Sequence, residues 1–427
     1  AEGRPNMNLR IAALLLVASL VAGCATDDSK SASKKAAAKG TEAQVQEGGF
    51  SDDIAFLRGY TEVVILKDRS GNGQVAVLPK MQGRVMTSCA TGSDGLSFGW
   101  INRELVSSGQ FTKHINVFGG EDRFWLGPEG GQFSIFFEKG VPFDLEHWQT
   151  PAPIDTEAWT LTGKTAHAAS LEKTMQMKNY SGETFDVRVM RDVRVLDRMV
   201  ALGLLGATAG ADVNMVAFES ENKIVNTGAK SWTKDTGLLS IWILGMFNPS
   251  PETTIVIPYI AGDESTLGPV VNDAYFGKVP EDRLVIKDRV MFFSADGQYR
   301  SKIGLSPQRA KNVAGSYDAV HKVLTVVQYT KPADVQDYVN SMWQIQDQPF
   351  RGDVVNSYND GPASPGAKPM GPFYELETSS PAAALPPGGS IIHIHRTFHF
   401  NGPEASLDTI AQATLGTSLE EIKTALP

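Results

Sequence analysis

Only two cysteines occur among the 427 residues, and this scarcity excludes a fold that depends on a network of disulfide bonds. Basic residues are also in the minority, since 39 Lys and Arg stand against 48 Asp and Glu and leave a net charge of −9. A nucleic-acid-binding protein normally carries a basic patch and a high isoelectric point, so we expect no nucleic acid among the partners. Apolar residues (42%), 41 glycines and 23 prolines are plentiful. This composition supports a large core with many turns, as in a β protein.

Long apolar runs are scarce, and the most apolar one lies near the N-terminus. Arg10 precedes the apolar run 11–22, which is followed by Gly23 and Cys24. As a helix this run would span about 18 Å, which is less than the hydrocarbon core of a bilayer, about 30 Å. The pattern is therefore typical of a signal peptide rather than of a membrane span. A chance hydrophobic helix that ends in a cysteine is the alternative.

The end of this run also resembles the lipobox of bacterial lipoproteins, in which cleavage leaves a lipidated cysteine at the new N-terminus. We therefore expect residues 1–24 to be a lipoprotein signal peptide, with 1–6 as an extension before the true start, and Cys24 to be lipidated. The expected location is extracytoplasmic, anchored by lipid to a bacterial membrane, in the periplasm or on the cell surface. The membrane, reached through Cys24, is then one of the expected partners.

Residues 25–49 are rich in Ser, Ala, Lys and Gly and contain almost no large apolar side chain. Such a segment cannot bury enough surface to fold, so it is expected to be a flexible tether. With Cys24 acylated, Cys89 has no cysteine to pair with and is most simply a small buried hydrophobic residue.

The body, residues 50–427, shows apolar residues with a period of two, and turn residues recur about every ten positions. Ser70-Gly71-Asn72-Gly73 predicts a hairpin, because Asn-Gly accepts positive φ. Helical signals are few, at 334–343 and from Ser406 to 425. No repeat or change of composition marks a further boundary. We predict one all-β domain, a large antiparallel two-sheet sandwich with a few short helices. Further strands are predicted at 185–195, 238–244, 254–259, 284–293, 323–329 and 391–400.

Two carboxylates are expected to share one face of a strand at 374–381. Glu375 and Glu377 are two residues apart, so both point to the same face of the strand. Beside apolar neighbours they suit a site that holds sugar hydroxyls or transfers protons. A solvent-facing strand surface is the alternative.

A row of histidines follows on the strand predicted at 391–400. His393, His395 and His399, three of the seven histidines in the chain, share one face. Their spacing invites comparison with the metal site of cupins, where a His-x-His pair, a Glu and a later His bind a transition ion. No Glu occurs at 396–402, so the pattern favours a hydrogen-bonding or partly buried row, and we expect neither a metal ion nor another cofactor.

Charged and aromatic residues are crowded into a third segment, 114–132, which is rich in glycine. It carries no dinucleotide or phosphate-loop fingerprint. The guanidinium of Arg123 and the ring of Trp125 are what a polyhydroxylated ring requires, namely paired hydrogen bonds and a stacking surface. Alternatively, the segment is a structural turn with surface charges. His114 and Glu129 are the other candidate binding residues here.

The C-terminal motifs resemble those of aldose 1-epimerases. Leu376-Glu377-Thr378, the turn Leu385-Pro386-Pro387-Gly388 and a strand that contains His393 are similar to the catalytic strand, Pro-Gly turn and last strand of that family. Phe118-Gly119-Gly120 with Arg123 is similar to the family segment whose Arg binds the sugar. Residues 50–402 as a whole are similar to an uncharacterised, secreted branch of the galactose mutarotase-like superfamily.

The resemblance implies a β-supersandwich that binds a carbohydrate in a cleft on the concave face of a sheet. Glu377 would take a proton from the anomeric hydroxyl, a histidine would protonate the ring oxygen, and Glu375 would be the fallback base. In that family the histidine that acts as general acid lies mid-chain, but the corresponding segment of this sequence, residues 239–248, contains no histidine. His393, His395 or His114 would then supply the acid, or mutarotation has been lost. The resemblance implies that Arg123 binds the sugar. The other candidate binding residues are Trp125, Glu129 and His114, with Asn359 and Asp360 either as turn formers or at the rim of the cleft.

Three functions follow as expectations. The first is a lipid-anchored carbohydrate-binding protein. The second is an active aldose 1-epimerase or another carbohydrate-active enzyme with Glu377 as base. The third, weaker one is a metal-dependent enzyme that uses His393 and His395.

Overall fold

The computed structural model describes residues 48–427. The expected signal peptide, the lipidated Cys24 and nearly all of the expected tether lie outside the described residues. Within 48–427, no helix combines the length and the apolar character needed to cross a membrane.

Strands dominate this part of the chain, and all of them pair antiparallel. In chain order the strands are β1 (Val64–Lys67), β2 (Gln74–Leu78), β3 (Arg84–Cys89), β4 (Arg123–Gly127), β5 (Thr160–Lys164), β6 (Ala168–Lys178), β7 (Thr184–Val195), β8 (Asn214–Asn226), β9 (Ser240–Phe247), β10 (Thr253–Pro258), β11 (Leu284–Lys287), β12 (Val290–Ser294), β13 (Ser301–Leu305), β14 (Val313–Asp318), β15 (Val323–Tyr329), β16 (Val355–Asn359), β17 (Tyr374–Ser379) and β18 (Ser390–Asn401).

The helices are short and connect or cover the sheets. They are α1 (Phe50–Arg58), α2 (Arg103–Ser108), α3 (Ala152–Asp155), α4 (Arg198–Leu205), α5 (Glu264–Leu267), α6 (Glu404–Leu415) and α7 (Leu419–Lys423), with one 3-10 turn at Pro79–Met81.

Two large sheets form the body, and their strand orders are β11-β12-β10-β14-β15-β18-β8-β7-β6-β5 and β13-β16-β17-β9-β4. They lie face to face, because Thr378 on β17 contacts His393 and His395 on β18 through its hydroxyl. The predicted all-β sandwich is thus confirmed. A small third sheet, β1-β2-β3, accompanies the two sheets that the sequence predicted.

Local patterns explain where several strands begin and end. The predicted hairpin at 70–73 joins β1 to β2, with Lys67 opposite Gln74 and Gly71 at a φ of 77°. Strand β7 alternates as expected, because its odd-numbered residues are buried between the sheets. One of them is Arg191, which is fully buried and donates to the Asn222 side chain and to Asp122.

Three predicted elements differ in the structure. The single strand predicted at 284–293 is a hairpin, because Arg289 takes a φ of 67° and turns β11 back onto β12. The helix predicted at 334–343 is wrong: this segment is irregular, and the Tyr338 amide donates to the Phe350 carbonyl (3.1 Å) instead of to a helical neighbour. The C-terminal helix is two helices, because Gly416 ends α6 at a φ of 72°.

Candidate functional site

The five-stranded sheet carries charged and aromatic side chains on the face that points away from the ten-stranded sheet. Alternate residues of a strand point to opposite faces, so Leu376 and Thr378 face the inner core while Glu375 and Glu377 face outward. Neighbouring strands add residues to this outer face in register. We call the following six residues the carboxylate face: Arg123, Trp125, Trp242, Lys302, Glu375 and Glu377.

Glu377 lies at the centre of the carboxylate face and is fully buried. Its Oε2 accepts hydrogen bonds from Nζ of Lys302 at 2.9 Å and from Nε1 of Trp242 at 3.0 Å. The Lys302 ammonium also lies 4.9 Å from the centroid of the Trp242 ring, a favourable cation–π distance. A buried carboxylate is tolerated only when it is paired and hydrogen-bonded, and these two donors meet that requirement.

The charge of Lys302 is maintained by its neighbours. Burial alone would lower the pKa of this ammonium, but the nearby carboxylates of Glu377 and Glu129 outweigh burial and raise the pKa above its usual value. Lys302 is therefore a cation at neutral pH.

Glu375 is the second carboxyl group of the carboxylate face, and its Oε1 accepts a hydrogen bond from Nη2 of Arg123. The Arg123 guanidinium lies 5.2 Å from the centroid of the Trp125 ring. Burial and the nearby charge of Glu377 raise the pKa of Glu375 to about 8, although Arg123 acts in the opposite direction. Glu375 can therefore hold a proton near neutral pH, which makes it a candidate acid on the same face as Glu377.

Two segments, 128–150 and 335–354, cover the carboxylate face, and we call them the covering segments. They are joined by a pair of hydrogen bonds between Gln132 and Gln346 (2.8 and 2.9 Å) and by one from the Glu129 amide to the Ser341 hydroxyl (3.1 Å). Burial raises the pKa of the Glu129 side chain to about 7, and a hydrogen bond with Trp343 acts against this. Glu129 is thus, after Glu375, a second carboxyl group that titrates near neutrality, and the charge of Lys302 acts on it.

The space between the covering segments and the sheet is small. It is a cavity of about 10 Å³, lined among others by Ser240, Trp242, Tyr275, Lys302 and Asn356. This is about the smallest space that holds one water molecule. The carboxylate face is therefore closed in this structure to anything larger than a water molecule.

A comparison with models of protein families identifies the family of this chain. Residues 48–426 match the sequence model of a family described as Family of unknown function (DUF6786). The chain belongs to this family. A sequence search of curated proteins finds no match.

Several solved structures resemble this DUF6786 protein at low sequence identity. One is a provisionally assigned aldose 1-epimerase from Escherichia coli K12, with a TM-score of 0.48 and 14% identity over 80% of this chain and 99% of that one. Another is a galactose mutarotase-like protein from Lactobacillus casei, with a TM-score of 0.44 and 10% identity over 80% of this chain and 100% of that one. These comparisons concern the fold alone.

The DUF6786 structure brings together four of the residues singled out from the sequence. Glu375, Glu377, Arg123 and Trp125 all lie on the carboxylate face, and Glu129 covers it from the loop after β4. Their roles in binding or catalysis stay predictions.

The histidine row lies elsewhere. His393 Nε2 and His395 Nδ1 hydrogen-bond the Thr378 hydroxyl at 2.8 and 2.9 Å, on the inner face of β17, so the sheet itself separates them from Glu377. Burial lowers the pKa of His393 to about 3 and that of His395 to about 4, so both are neutral. His399 is also buried and pairs with Glu121 at 2.7 Å. The geometry therefore does not bring a histidine of this row to Glu377.

The three other candidates have different surroundings, and of these only Asp360 lies close enough to the carboxylate face for its charge to act on Glu375. Asn359 faces inward and holds a turn, since it accepts from the Gly297 amide (2.8 Å) and donates to the Tyr299 carbonyl (3.0 Å). Asp360 accepts from the Tyr358 hydroxyl at 2.8 Å, and burial raises its pKa to about 6. His114 lines a separate cleft, with Nδ1 2.7 Å from the Trp148 carbonyl oxygen.

Two residues of the DUF6786 site were missed in the sequence. Lys302 lies between Ser301 and Ile303 on a short buried strand. The available signal was that Lys302 points to the face of this strand opposite to Ile303. Trp242 was assigned to the core because its neighbours are apolar, yet its indole faces Glu377. Within residues 48–427, no three His, Cys, Asp or Glu side chains are grouped so that they could hold a metal ion. The metal-dependent alternative thus has no ligand set in this part of the chain.

Proposed function

We propose that this protein binds a carbohydrate on the carboxylate face, with Glu377, Arg123 and the tryptophans Trp125 and Trp242 as the main contacts. Indole rings offer apolar faces to the C–H side of a sugar ring, and carboxylate, ammonium and guanidinium groups offer strong hydrogen bonds to its hydroxyls. A small number of placed polar groups among aromatic side chains is the usual composition of a small-molecule site.

One observation carries this proposal. Three buried polar atoms on the outer side of the five-stranded sheet have no hydrogen-bond partner among the described residues: Oε1 of Glu377, Nε of Arg123 and Oγ of Ser240. Buried polar atoms are nearly always hydrogen-bonded, and each one that is not costs about 1–3 kcal/mol. A polyhydroxylated ligand offers both donors and acceptors, so it can satisfy all three atoms.

Binding requires an opening step, because the cavity of about 10 Å³ is far smaller than a sugar. The covering segments 128–150 and 335–354 are loops joined to each other by hydrogen bonds, such as that between Gln132 and Gln346, and by ring contacts, such as that between Trp148 and Trp343. Loops that close over a ligand and exclude water are a common feature of such sites.

The second candidate function is catalysis on the bound sugar, as in an aldose 1-epimerase, and the raised pKa of Glu375 favours it. A general base and a general acid must be present on the same face. Glu377, paired with Lys302, would be the base, and protonated Glu375 or Glu129 would be the acid in place of a histidine.

Localisation is part of the proposal. The sequence pattern at 7–24 supports a lipoprotein that is anchored outside the cytoplasm through Cys24. Incorporation of labelled palmitate by the expressed protein, and its loss in Cys24→Ala, would test this. Unchanged label in that variant would contradict the anchor.

A thermal-shift screen of the purified protein against monosaccharides and oligosaccharides tests the binding proposal. At a hundred times its Kd, a ligand stabilises the native state by about 2.7 kcal/mol. We expect a sugar that shifts the melting temperature with EDTA present and loses its effect in Arg123→Ala. The matched control is Arg69→Ala, since Arg69 is exposed and pairs only with Asp197. A shift that survives in Arg123→Ala would contradict this site.

A further inference from the structure

A second, larger cleft lies beside the carboxylate face. It has a volume of about 750 Å³ and is lined by parts of segment 113–151 and by Lys178 and Asn179, at the end of β6. Small-molecule sites typically measure 300–1,000 Å³, so this cleft has room for a ligand without any movement. Among the sequence candidates only His114 lines it.

Three lysines give the cleft a basic rim. Lys113, Lys139 and Lys178 line it, all three are exposed, and none has an ion-pair or hydrogen-bond partner for its ammonium among residues 48–427. Two carboxylates, Glu138 and Glu146, also line the cleft, so its formal charge is +1 with histidines neutral (three lysines less two glutamates). Asp144, which contacts the lining residue His147 at 2.6 Å, brings the surroundings of the cleft to neutral, so it is the three unpaired ammonium groups that favour an anionic ligand here, on a chain of charge −9.

Aromatic rings form the wall of the cleft on the side of the carboxylate face. Phe136 and Trp148 line the cleft and stack on each other, with ring centroids 6.0 Å apart and planes 5° apart. Trp148 also contacts Trp125 of the carboxylate face, with centroids 6.5 Å apart. The cleft and the carboxylate face thus share one aromatic layer.

Trp148 supplies a polar atom as well. Its side chain is largely buried (7% exposed for the residue), and its Nε1 donor has no hydrogen-bond partner among the described residues. Buried indole N–H groups usually find an acceptor. The oxygen of a hydroxyl or acid group on a ligand in the cleft is an acceptor of the required kind.

We propose that this cleft is a binding site for an anionic saccharide, whose acid group is recognised by Lys113, Lys139 and Lys178 and one of whose oxygens accepts a hydrogen bond from Nε1 of Trp148. The saccharide class rests on the proposed function. The cleft lies on the other side of the aromatic layer that it shares with the carboxylate face.

Matched pairs of sugars test this proposal by titration calorimetry on the purified protein at low ionic strength. The probes are D-galacturonate against D-galactose, and D-glucuronate against D-glucose, which differ in the carboxylate. We expect at least one uronate to bind ten times more tightly than its neutral partner or better. Salt should weaken the uronate and not the neutral sugar.

Variants locate the effect. The triple variant Lys113→Gln, Lys139→Gln and Lys178→Gln should lose at least tenfold in uronate affinity and keep its affinity for the neutral sugar. The control triple replaces Lys164, Lys278 and Lys311 by Gln, which are also exposed and without ion pairs among the described residues, and should bind as wild type does. All replaced side chains are exposed, so circular dichroism should show both triples folded.

The outcomes separate the two proposals. Equal binding of uronate and neutral sugar, or an unchanged uronate affinity in the lysine triple, would overturn the anionic cleft and leave the carboxylate face intact. Lysine-dependent uronate binding that is unchanged in both Glu377→Gln and Arg123→Ala would support the cleft as a site of its own, whereas the proposed function is contradicted only if every sugar that binds keeps its affinity in both of these variants. Binding of none of the four probes would overturn the cleft, whereas the proposed function would still be tested by the wider screen.

Discussion

Lys302 and Glu377 form a buried ion pair across an intervening strand. Lys302 is on β13 and Glu377 on β17, with β16 between them, and Nζ lies 2.9 Å from Oε2. The side chains are 9% and 0% exposed, respectively. Taking two charges out of water is costly, and a pair of this kind does not by itself stabilise a fold. Its position, at the centre of a face with unsatisfied polar atoms, fits a functional site better than a structural one.

Removing one charge of this pair leaves the other charge buried without its partner, which should destabilise the fold. Lys302→Met leaves the Glu377 carboxylate buried with only Trp242 as donor, so the free energy of unfolding should fall by about 3–5 kcal/mol. The double variant Lys302→Met/Glu377→Gln removes both charges and should recover a large part of this loss. Urea denaturation measures both values. A loss below about 1 kcal/mol in the single variant would show that the pair is not buried as described.

Thr378 provides a test on the inner face of the same strand. Its hydroxyl hydrogen-bonds both His393 and His395. Thr378→Val keeps nearly the same shape, but each of these two buried ring nitrogens loses a hydrogen-bond partner. We expect about 1–3 kcal/mol of destabilisation and unchanged sugar affinity. Thr174→Val, at an exposed position on β6, is the control. A large drop in sugar affinity for Thr378→Val, with the fold intact, would mean that the histidine row acts in binding.

The raised pKa of Glu375 predicts a particular pH dependence. The folded protein holds the proton up to about pH 8, whereas the unfolded chain releases it near pH 4.5. The stabilisation from this group is therefore complete below about pH 4.5 and is lost as the pH rises through about 8. Glu375→Gln should flatten the fall in melting temperature between pH 5 and 8 relative to wild type. Parallel curves for the two proteins would contradict the raised pKa.

Weakening the contact between the covering segments should lower the stability of the protein and speed up the binding of a sugar. Gln132→Ala removes two hydrogen bonds to Gln346, which costs about 1–2 kcal/mol of stability. If the site must open before a sugar enters, the same change raises the open population, and the observed association rate increases by up to about tenfold. Stopped-flow fluorescence measures that rate. An unchanged rate in a destabilised variant would show that these hydrogen bonds do not limit entry.

Local patterns in the sequence predicted the sheets well, because alternation and turns are properties of neighbouring residues. The hairpin at 70–73 and the shared face of Glu375 and Glu377 are examples. Lys302 could not be placed beside Glu377, because 75 residues separate them and their contact depends on strand order. The histidine row was expected to be hydrogen-bonded, but its neighbour Thr378 belongs to the opposite sheet, and only the packing of the two sheets reveals it.

For the segment 334–343, by contrast, the sequence predicted an element that the structure does not contain. Its composition suggested a helix, whereas tertiary hydrogen bonds such as that from Tyr338 to Phe350 hold it as part of a loop over the site. Packing against the rest of the protein therefore outweighed a weak local preference.

The most direct test of the central claim is sugar binding by Glu377→Gln, measured by titration calorimetry with the sugar that the thermal-shift screen identifies. The change keeps the shape of the side chain and removes its charge, so affinity should fall by about 10- to 100-fold, while Glu281→Gln, at an exposed position, should bind as wild type does. If the protein also interconverts the anomers of the sugar, polarimetry should show that the rate falls by at least about 100-fold in the same variant. Wild-type affinity in Glu377→Gln would contradict a carbohydrate site on the carboxylate face.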